Sequence, residues 1–297
     1  MPNCAYDIIK IFGLSALAFF IALAWTPLLT HFLYKYKFWK KDALRKVPHM
    51  GGLIIWGTVL IISLLFIKNI SWLPLLALVL GSLVGLIDDF LSVKTRYGLR
   101  FIWRAIAVLI IGLFIGWLFY QYLGWPFFYI AFVPIVMLGL FGGAPIDGLD
   151  GLAGGVLAPM FGAFAAIAFA QGQINLAIFS SIVVGALLGF LYFNIPPARF
   201  FMGETGMIGL LVCLSVLAFL TNSVLILPII TLPLGITSSS ILLQIFWVQV
   251  FKKKLFYASP LHAHFEKMGW PHYKITMRYW IFATVFAIIG GVIVLII

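Results

Sequence analysis

The sequence is poor in charged residues, which make up 9% of its 297 positions, while hydrophobic residues make up 64%. A soluble domain carries roughly 25% charged residues. A chain with so few charges cannot cover a water-exposed surface, so most of it is predicted to lie in a lipid bilayer. Helices satisfy backbone hydrogen bonds there, and about 20 apolar residues cross the hydrocarbon core. The expected fold is all-α, a polytopic membrane protein with one integral-membrane domain over residues 1–297.

Cysteine is also scarce, and this excludes two classes of site. Cys4 and Cys213 are far apart, and the second lies in an apolar run, so neither a disulfide framework nor a zinc site is indicated. The net charge of +11 does not indicate nucleic acid, because a basic, aromatic-interleaved soluble module is lacking. Basic loops instead orient a membrane protein and contact anionic headgroups.

Breaks in hydrophobicity predict ten spans, of which the break at 221–223 is the weakest. With ten spans, 17 of the 19 Lys and Arg residues fall on one side, the exceptions being Lys10 and Lys68. The positive-inside bias makes that side cytoplasmic and places both termini outside. The predicted spans are 7–34, 51–68, 72–90, 99–122, 127–142, 152–170, 174–194, 206–221, 223–250 and 275–297.

Acidic residues and histidines follow the same asymmetry. Seven of the eight acidic residues, all but Asp7, and all five histidines lie on the predicted cytoplasmic side or at helix ends facing it. The active site is therefore predicted on the cytoplasmic face. Transport is not favoured, because no charged residue lies deep within a predicted span.

Asp88 and Asp89 follow an apolar run at the end of the third predicted span. Adjacent carboxylates repel one another, and the C-terminal end of a helix is already negative. A bound divalent cation, or use of one carboxylate as a base, explains the pair better than a solvated helix end, which stays an alternative.

Two further acidic motifs lie in glycine-rich loops. In DGLDG, Asp147 and Asp150 are three residues apart, a spacing that places them on one face if the segment is helical. They suit a cation or a hydroxyl-rich ligand, with a re-entrant turn as the alternative. Glu204 stands between glycines before a predicted helix and suits Mg²⁺, or else stabilises the helix N-terminus.

The basic loop 251–278 and the turn before residue 51 offer phosphate contacts. His262, or the lysines at 252–254, suits phosphate better than the weakly indicated zinc set of His262, His264 and Glu266. Lys46 precedes a helix N-terminus where an anion could bind. Carboxylates for Mg²⁺ and basic groups for phosphate on a lipid-embedded scaffold predict phosphoryl transfer.

These motifs, in this order, resemble the polyprenyl-phosphate N-acetylhexosamine-1-phosphate transferase superfamily, from PHMGG at 48–52 to the last helix. SPLHAHFEKMGW at 259–270 is most similar to its phospho-N-acetylmuramoyl-pentapeptide transferase branch. The resemblance implies Mg²⁺-dependent transfer of phospho-MurNAc-pentapeptide from UDP-MurNAc-pentapeptide to undecaprenyl phosphate. The products would be UMP and lipid I for peptidoglycan, made at the bacterial inner (plasma) membrane.

The resemblance also implies residue roles, including one aspartate of the adjacent pair as base on the lipid phosphate. The predicted catalytic residues are Asp88, Asp89 and His262, the metal ligands Glu204 and Asp89, and the substrate-binding residues Lys46, Asn194, Asp147, Asp150 and His264.

Several positions depart from the family pattern, among them Ser92 where a lysine is common and Ala263 in the middle of the histidine triplet. Phe141 and Ala144 stand where the family has asparagines, and Glu204 where it has an aspartate. Two alternatives therefore stay open: the same chemistry with another UDP-N-acetylhexosamine, or a divergent homologue that binds lipid phosphate without turnover. A homodimer is compatible with these residues, which do not determine the oligomeric state.

Overall fold

The computed structural model describes residues 4–39, 47–67, 72–95 and 98–296, and within these ranges the chain forms helices and no strands. A short 3-10 turn, Ala144–Ile146, lies between the fifth and sixth helices. The predicted all-α fold is confirmed. The helices are α1 (Cys4–Lys35), α2 (Gly52–Phe66), α3 (Trp72–Thr95), α4 (Phe101–Leu123), α5 (Tyr129–Phe141), α6 (Leu152–Ala170), α7 (Ile174–Asn194), α8 (Gly203–Leu220), α9 (Leu227–Ile230), α10 (Leu232–Phe251), α11 (Leu261–Lys267) and α12 (His272–Ile296).

Each predicted span corresponds to a helical segment. In the described part of the chain, nine helical stretches are long and apolar enough to cross a bilayer, and α2 is shorter at 15 residues. The weak break at 221–223 is confirmed, because α8 ends at Leu220 and Asn222 has a left-handed backbone with φ +52°. The ninth span divides into α9 and α10, and α11 lies in a predicted loop. The cytoplasmic assignment of the basic loops and the outside position of both termini stay predictions.

The outer helices expose large apolar side chains. Phe12 on α1, Ile110 on α4, Leu242 on α10 and Ile281 on α12 are each more than half exposed. Apolar surface of this extent on a soluble protein would mark an interaction site. On a bundle of membrane-length helices it is the surface that contacts lipid.

Helix α8 lies at the centre of the bundle, with residues 205–219 buried, and α3 packs closely along it. Glycines permit the approach: a Cβ atom on Gly81 would lie 2.8 Å from the Cα of Gly209, and one on Gly85 would overlap the carbonyl oxygen of Glu204. Small residues let membrane helices approach in this way. This packing holds the acidic pair of α3 against the start of α8.

Candidate active site

Asp89 binds the first turn of α8 from within α3, because this helix continues past the predicted span to Thr95 and the acidic pair is not at its end as predicted. Its carboxylate accepts hydrogen bonds from the backbone N–H of Glu204 (3.2 Å) and of Thr205 (2.9 Å), and from the Thr205 hydroxyl (2.6 Å). The residue before the helix, Met202, makes no side-chain capping bond. A buried carboxylate satisfies these N–H groups and complements the positive helix end. Asp89 therefore fixes Glu204 relative to α3.

Arg104, in the first turn of α4, lies between two carboxylates. Its Nη1 atom is hydrogen-bonded to Glu204 Oε1 and lies 3.6 Å from Asp88 Oδ2. The other oxygen of Asp88 accepts the backbone N–H of Leu99. Three carboxylates and one guanidinium thus meet where α3, α4 and α8 come together, and the positive charge reduces the repulsion between the acids. We call Asp88, Asp89, Arg104 and Glu204 the acid cluster.

The sequence interpretation missed Arg104, which it counted only as an orienting charge. A signal was present, because Arg104 is a single cation within the apolar run of α4 and follows Phe101-Ile102-Trp103. Charges inside membrane-length helices are costly and usually have a partner. The partner could not be identified, since Arg104 and Glu204 are 100 residues apart.

Asp147 and Asp150 lie in a turn, not on a helix as their spacing suggested. The turn follows the 3-10 segment and ends before α6. Asp147 Oδ2 accepts the backbone N–H of Gly203 at 2.8 Å, and Asp150 Oδ2 accepts that of Ala198 at 3.2 Å. Both carboxylates therefore bind the 195–203 loop and place it beside the acid cluster.

Asn194, the last residue of α7, is buried between the same two loops. Its Oδ1 accepts the N–H of Gly151 at 3.2 Å, and its Nδ2 donates to the carbonyl of Phe200 at 2.7 Å. Both the oxygen and the nitrogen of the side-chain amide therefore bind backbone groups. In this structure Asn194 shapes the loops around the site.

His262, on α11, is 4% exposed and lies against the DGLDG turn, since a Cβ on Gly148 would be 2.5 Å from its Nε2. Burial lowers the pKa of His262 to about 4, although the nearby Glu266 carboxylate acts in the opposite direction. The imidazole is therefore neutral at neutral pH. Its buried Nδ1 has no hydrogen-bond partner among the described residues.

One predicted substrate-binding residue, His264, makes its hydrogen bond and a ring contact with Tyr257 and not with the acid cluster. His264 accepts the backbone N–H of Tyr257 through Nδ1 at 3.1 Å, and the two rings stack with centroids 5.4 Å apart. Lys46 lies outside the described residues. The structure thus brings together Asp88, Asp89, Asp147, Asp150, Asn194, Glu204 and His262.

The acid cluster has donors suited to Mg²⁺, an ion that binds one or two carboxylates together with substrate phosphates. Glu204 Oε2 is buried and has no hydrogen-bond partner within the described ranges. Over the same ranges, no three His, Cys, Asp or Glu side chains lie close enough to form a complete metal cage. The donor set therefore fits a metal held by few protein oxygens and completed by substrate.

An apolar groove of about 660 Å³ lies between α5 and the α9–α10 segment. Phe132 and Leu140 line one wall, and Leu243 lines another. Phe256 also lines the groove, as does Leu261, the residue before His262 in the chain. The groove therefore reaches the segment of the chain that carries His262.

Comparison with known proteins identifies the family of the chain. The model of glycosyl transferase family 4 matches residues 71–222, a range that includes the acid cluster and the DGLDG turn. The chain is 33% identical to the phospho-N-acetylmuramoyl-pentapeptide-transferase of Bacillus thuringiensis (strain Al Hakam), over 93% of this chain and 95% of the relative. It is 34% identical, with the same coverage, to the enzyme of that name from Anoxybacillus flavithermus (strain DSM 21510 / WK1). The chain therefore belongs to glycosyl transferase family 4, within the group of phospho-N-acetylmuramoyl-pentapeptide transferases.

Proposed function

We propose that this transferase moves phospho-MurNAc-pentapeptide from UDP-MurNAc-pentapeptide to undecaprenyl phosphate in the bacterial inner membrane, with Mg²⁺, giving lipid I and UMP. The acid cluster carries the proposal. It combines buried carboxylates with a guanidinium at the ends of membrane-length helices. Phosphoryl transfer requires positioning and charge neutralisation more than covalent chemistry, and this cluster can supply both.

In the proposed reaction, an oxygen of the lipid phosphate attacks the sugar-bearing phosphorus. The bond from that phosphorus to the oxygen of UMP breaks, and UMP leaves with the electron pair. Asp88 is assigned to accept the proton of the lipid phosphate, because its Oδ2 lies 3.6 Å from Arg104 Nη1, which is longer than a normal hydrogen bond. Asp89 is assigned to position Glu204, since both of its oxygens accept hydrogen bonds from the start of α8.

The negative charge of the diphosphate would be balanced by the metal ion and by Arg104. Glu204 would hold Mg²⁺ through its unpartnered Oε2, and the bound ion would neutralise phosphate oxygens. Arg104 can form paired hydrogen bonds with a phosphate, as guanidinium groups do. His262, neutral at neutral pH, can donate a hydrogen bond from its ring N–H to a phosphate oxygen.

The groove between α5 and α10 supports a long apolar acceptor. Its lining is mostly apolar, and the lining residue Leu261 precedes His262 in the chain. A polyprenyl chain lying there would bring its phosphate towards the imidazole.

Release of UMP by the purified chain tests the proposal. The assay contains undecaprenyl phosphate and UDP-MurNAc-pentapeptide, with Mg²⁺ in one arm and a chelator in the other. Metal-dependent release of UMP together with a lipid-linked sugar is expected. Failure with this pair and with every other UDP-sugar would contradict the proposed chemistry.

A second candidate keeps the chemistry but changes the sugar. The family's two asparagines are replaced by Phe141, which is buried and stacks on Phe101 with centroids 5.2 Å apart, and by the buried Ala144. Neither side chain can hydrogen-bond a substrate. Faster turnover of another UDP-N-acetylhexosamine than of UDP-MurNAc-pentapeptide would favour this candidate.

A further inference from the structure

A second apolar groove, of about 410 Å³, lies near the acid cluster, between the last part of α1, the start of α2 and the last part of α3. It shares no lining residue with the groove between α5 and α10. Its volume falls within the range of about 300–1,000 Å³ that is typical of small-molecule sites. Six of its lining side chains are Phe32, Phe38, Met50, Leu53, Ile87 and Phe90.

The walls of this groove are partly exposed aromatic and aliphatic side chains. Phe32 and Phe38 have stacked rings with centroids 6.0 Å apart, and the ring of Phe38 lies 6.4 Å from that of Phe90. Phe32, Ile87 and Phe90 are all exposed in the described structure. A concave apolar surface on a membrane protein is filled by a hydrocarbon chain, and this one can hold such a chain between its rings.

A positive charge lies at the edge of the groove. The ammonium group of Lys94 is 4.4 Å from the ring centroid of Phe90, which lines the groove. Lys35 and Lys37 are also exposed, in the segment between the lining residues Phe32 and Phe38. An apolar groove bordered by ammonium groups complements an amphiphile with an anionic head, and basic pockets between membrane helices bind such lipids.

We propose that the groove at the ends of α1, α2 and α3 binds an anionic phospholipid of the surrounding bilayer. Its acyl chain lies between Phe32, Phe38 and Phe90, and its phosphate contacts Lys94. A zwitterionic lipid carries its own cation next to the phosphate, so the lysine stabilises its binding less. The proposal does not depend on the transferase reaction, because it concerns a lipid that is not consumed.

The position of the groove gives the lipid a way to affect the site. Phe90 follows Asp89 directly on α3, and Ile87 precedes Asp88. A lipid bound against these side chains contacts the part of α3 that carries the acidic pair. Enzyme activity is therefore expected to rise with the anionic fraction of the bilayer.

Native mass spectrometry of the full chain tests the lipid site. The delipidated protein is titrated with phosphatidylglycerol or with phosphatidylcholine of the same acyl chains. Lys94→Gln removes the charge, and Ile87→Trp fills the groove. Lys274→Gln is the matched control, since Lys274 also lies on a ring, 4.9 Å from the centroid of Trp270, outside the groove.

Phosphatidylglycerol is expected to bind the wild type more tightly than phosphatidylcholine. Affinity should fall about fivefold in Lys94→Gln, the worth of one lysine near an anionic surface, and more in Ile87→Trp. Lys274→Gln should match the wild type.

Four outcomes would overturn the proposal. Equal binding of the two lipids would show that the groove does not recognise the charge of the headgroup. Equal affinity of Lys94→Gln and Lys274→Gln would show that Lys94 does not contact the lipid phosphate. One-for-one displacement of phosphatidylglycerol by undecaprenyl phosphate would assign the groove to the acceptor. Loss of a dimer in Ile87→Trp, with lipid binding unchanged, would assign it to a second copy of the chain.

Discussion

At the scale of single residues, Glu204 combines a hydrogen-bonded oxygen with an unpartnered one. Oε1 binds Arg104, while Oε2 is buried without a partner among the described residues. Glu204→Gln keeps the size of the side chain and an oxygen for Arg104 but removes the charge. We expect UMP release to fall by about 100-fold or more, because a group that stabilises charge in the transition state is lost.

The matched control for this variant is Glu266→Gln. Glu266 is a carboxylate of the same length outside the acid cluster, bound to His272 at 2.9 Å and partly exposed. Its variant should keep turnover within a few-fold of the wild type. Thermal unfolding of both variants checks that folding is intact. A Glu204→Gln protein that folds and turns over at the wild-type rate would contradict the assigned role.

The buried imidazole of His262 predicts a pH dependence of stability. Burial lowers the pKa of His262 from 6.5 to about 4 in the folded chain. As the pH falls below 6.5, the unfolded chain takes up this proton first, so the free energy of unfolding falls between pH 6.5 and 4. The decrease from this one group approaches about 1.4 kcal/mol per pH unit.

Thermal unfolding at pH 7 and pH 5 measures this dependence. His262→Gln removes the titrating group, so its stability should fall less between the two pH values than that of the wild type. Equal losses in the two proteins would show that the imidazole titrates alike in the folded and unfolded chains.

At the scale of helices, the contact between α3 and α8 places the acid cluster. A Cβ on Gly85 would overlap the carbonyl oxygen of Glu204, whereas a Cβ on Gly162 of α6 meets no atom within 4 Å. Gly85→Ala should therefore lower the free energy of unfolding by about 1–3 kcal/mol through overpacking. Gly162→Ala should raise it by about 0.5–1 kcal/mol, because alanine restricts the unfolded chain.

Unfolding in mixed micelles measures both changes, and UMP release measures the displacement of Glu204. Activity should fall in Gly85→Ala and stay unchanged in Gly162→Ala. Equal stability of the two variants would mean that α3 and α8 are not in close contact at Gly85.

A second prediction at this scale concerns the loop that leads to His262. Gln244, on α10, accepts the backbone N–H groups of Leu255 (3.2 Å) and Phe256 (2.9 Å) through Oε1, and its Nε2 donates to the carbonyl of Phe256 (3.4 Å). These bonds hold the loop against the α5–α10 groove. Gln244→Leu should raise the KM for the lipid acceptor by about tenfold, because it loses about three hydrogen bonds worth roughly 0.5 kcal/mol each.

Steady-state kinetics with varied acceptor tests this prediction, and Gln249→Leu on the exposed part of the same helix is the control. The KM for the UDP-sugar should change little in both variants. A fall in kcat with an unchanged acceptor KM would contradict the assigned role of the loop.

At the scale of the whole molecule, the asymmetry of charge predicts orientation. Lys253 is exposed on the basic side, and Phe127, the first residue of the fifth predicted span, is 72% exposed at the predicted opposite side. Single cysteines at these positions, in a background without Cys4 and Cys213, can be labelled with a membrane-impermeant maleimide. Intact cells should label Phe127→Cys and not Lys253→Cys. The reverse pattern would invert the orientation, and labelling of both would contradict the ten-span count.

The sequence alone determined the class of the protein and the positions of its spans. Lipid replaces water along whole segments, so each apolar run reports its own environment without reference to the rest of the chain. The break at 221–223 could be found in this way. The order of the acidic motifs also indicated the transferase family, through the resemblance that these motifs carry.

Only the tertiary structure decided how these residues meet. Arg104 and Glu204 are 100 residues apart, and no local pattern pairs them. The spacing of Asp147 and Asp150 is compatible with a helix or a turn, and the choice follows from bonds to the distant 195–203 loop. Periodicity reports which side of a segment is apolar, whereas partners across the bundle depend on how all the helices pack.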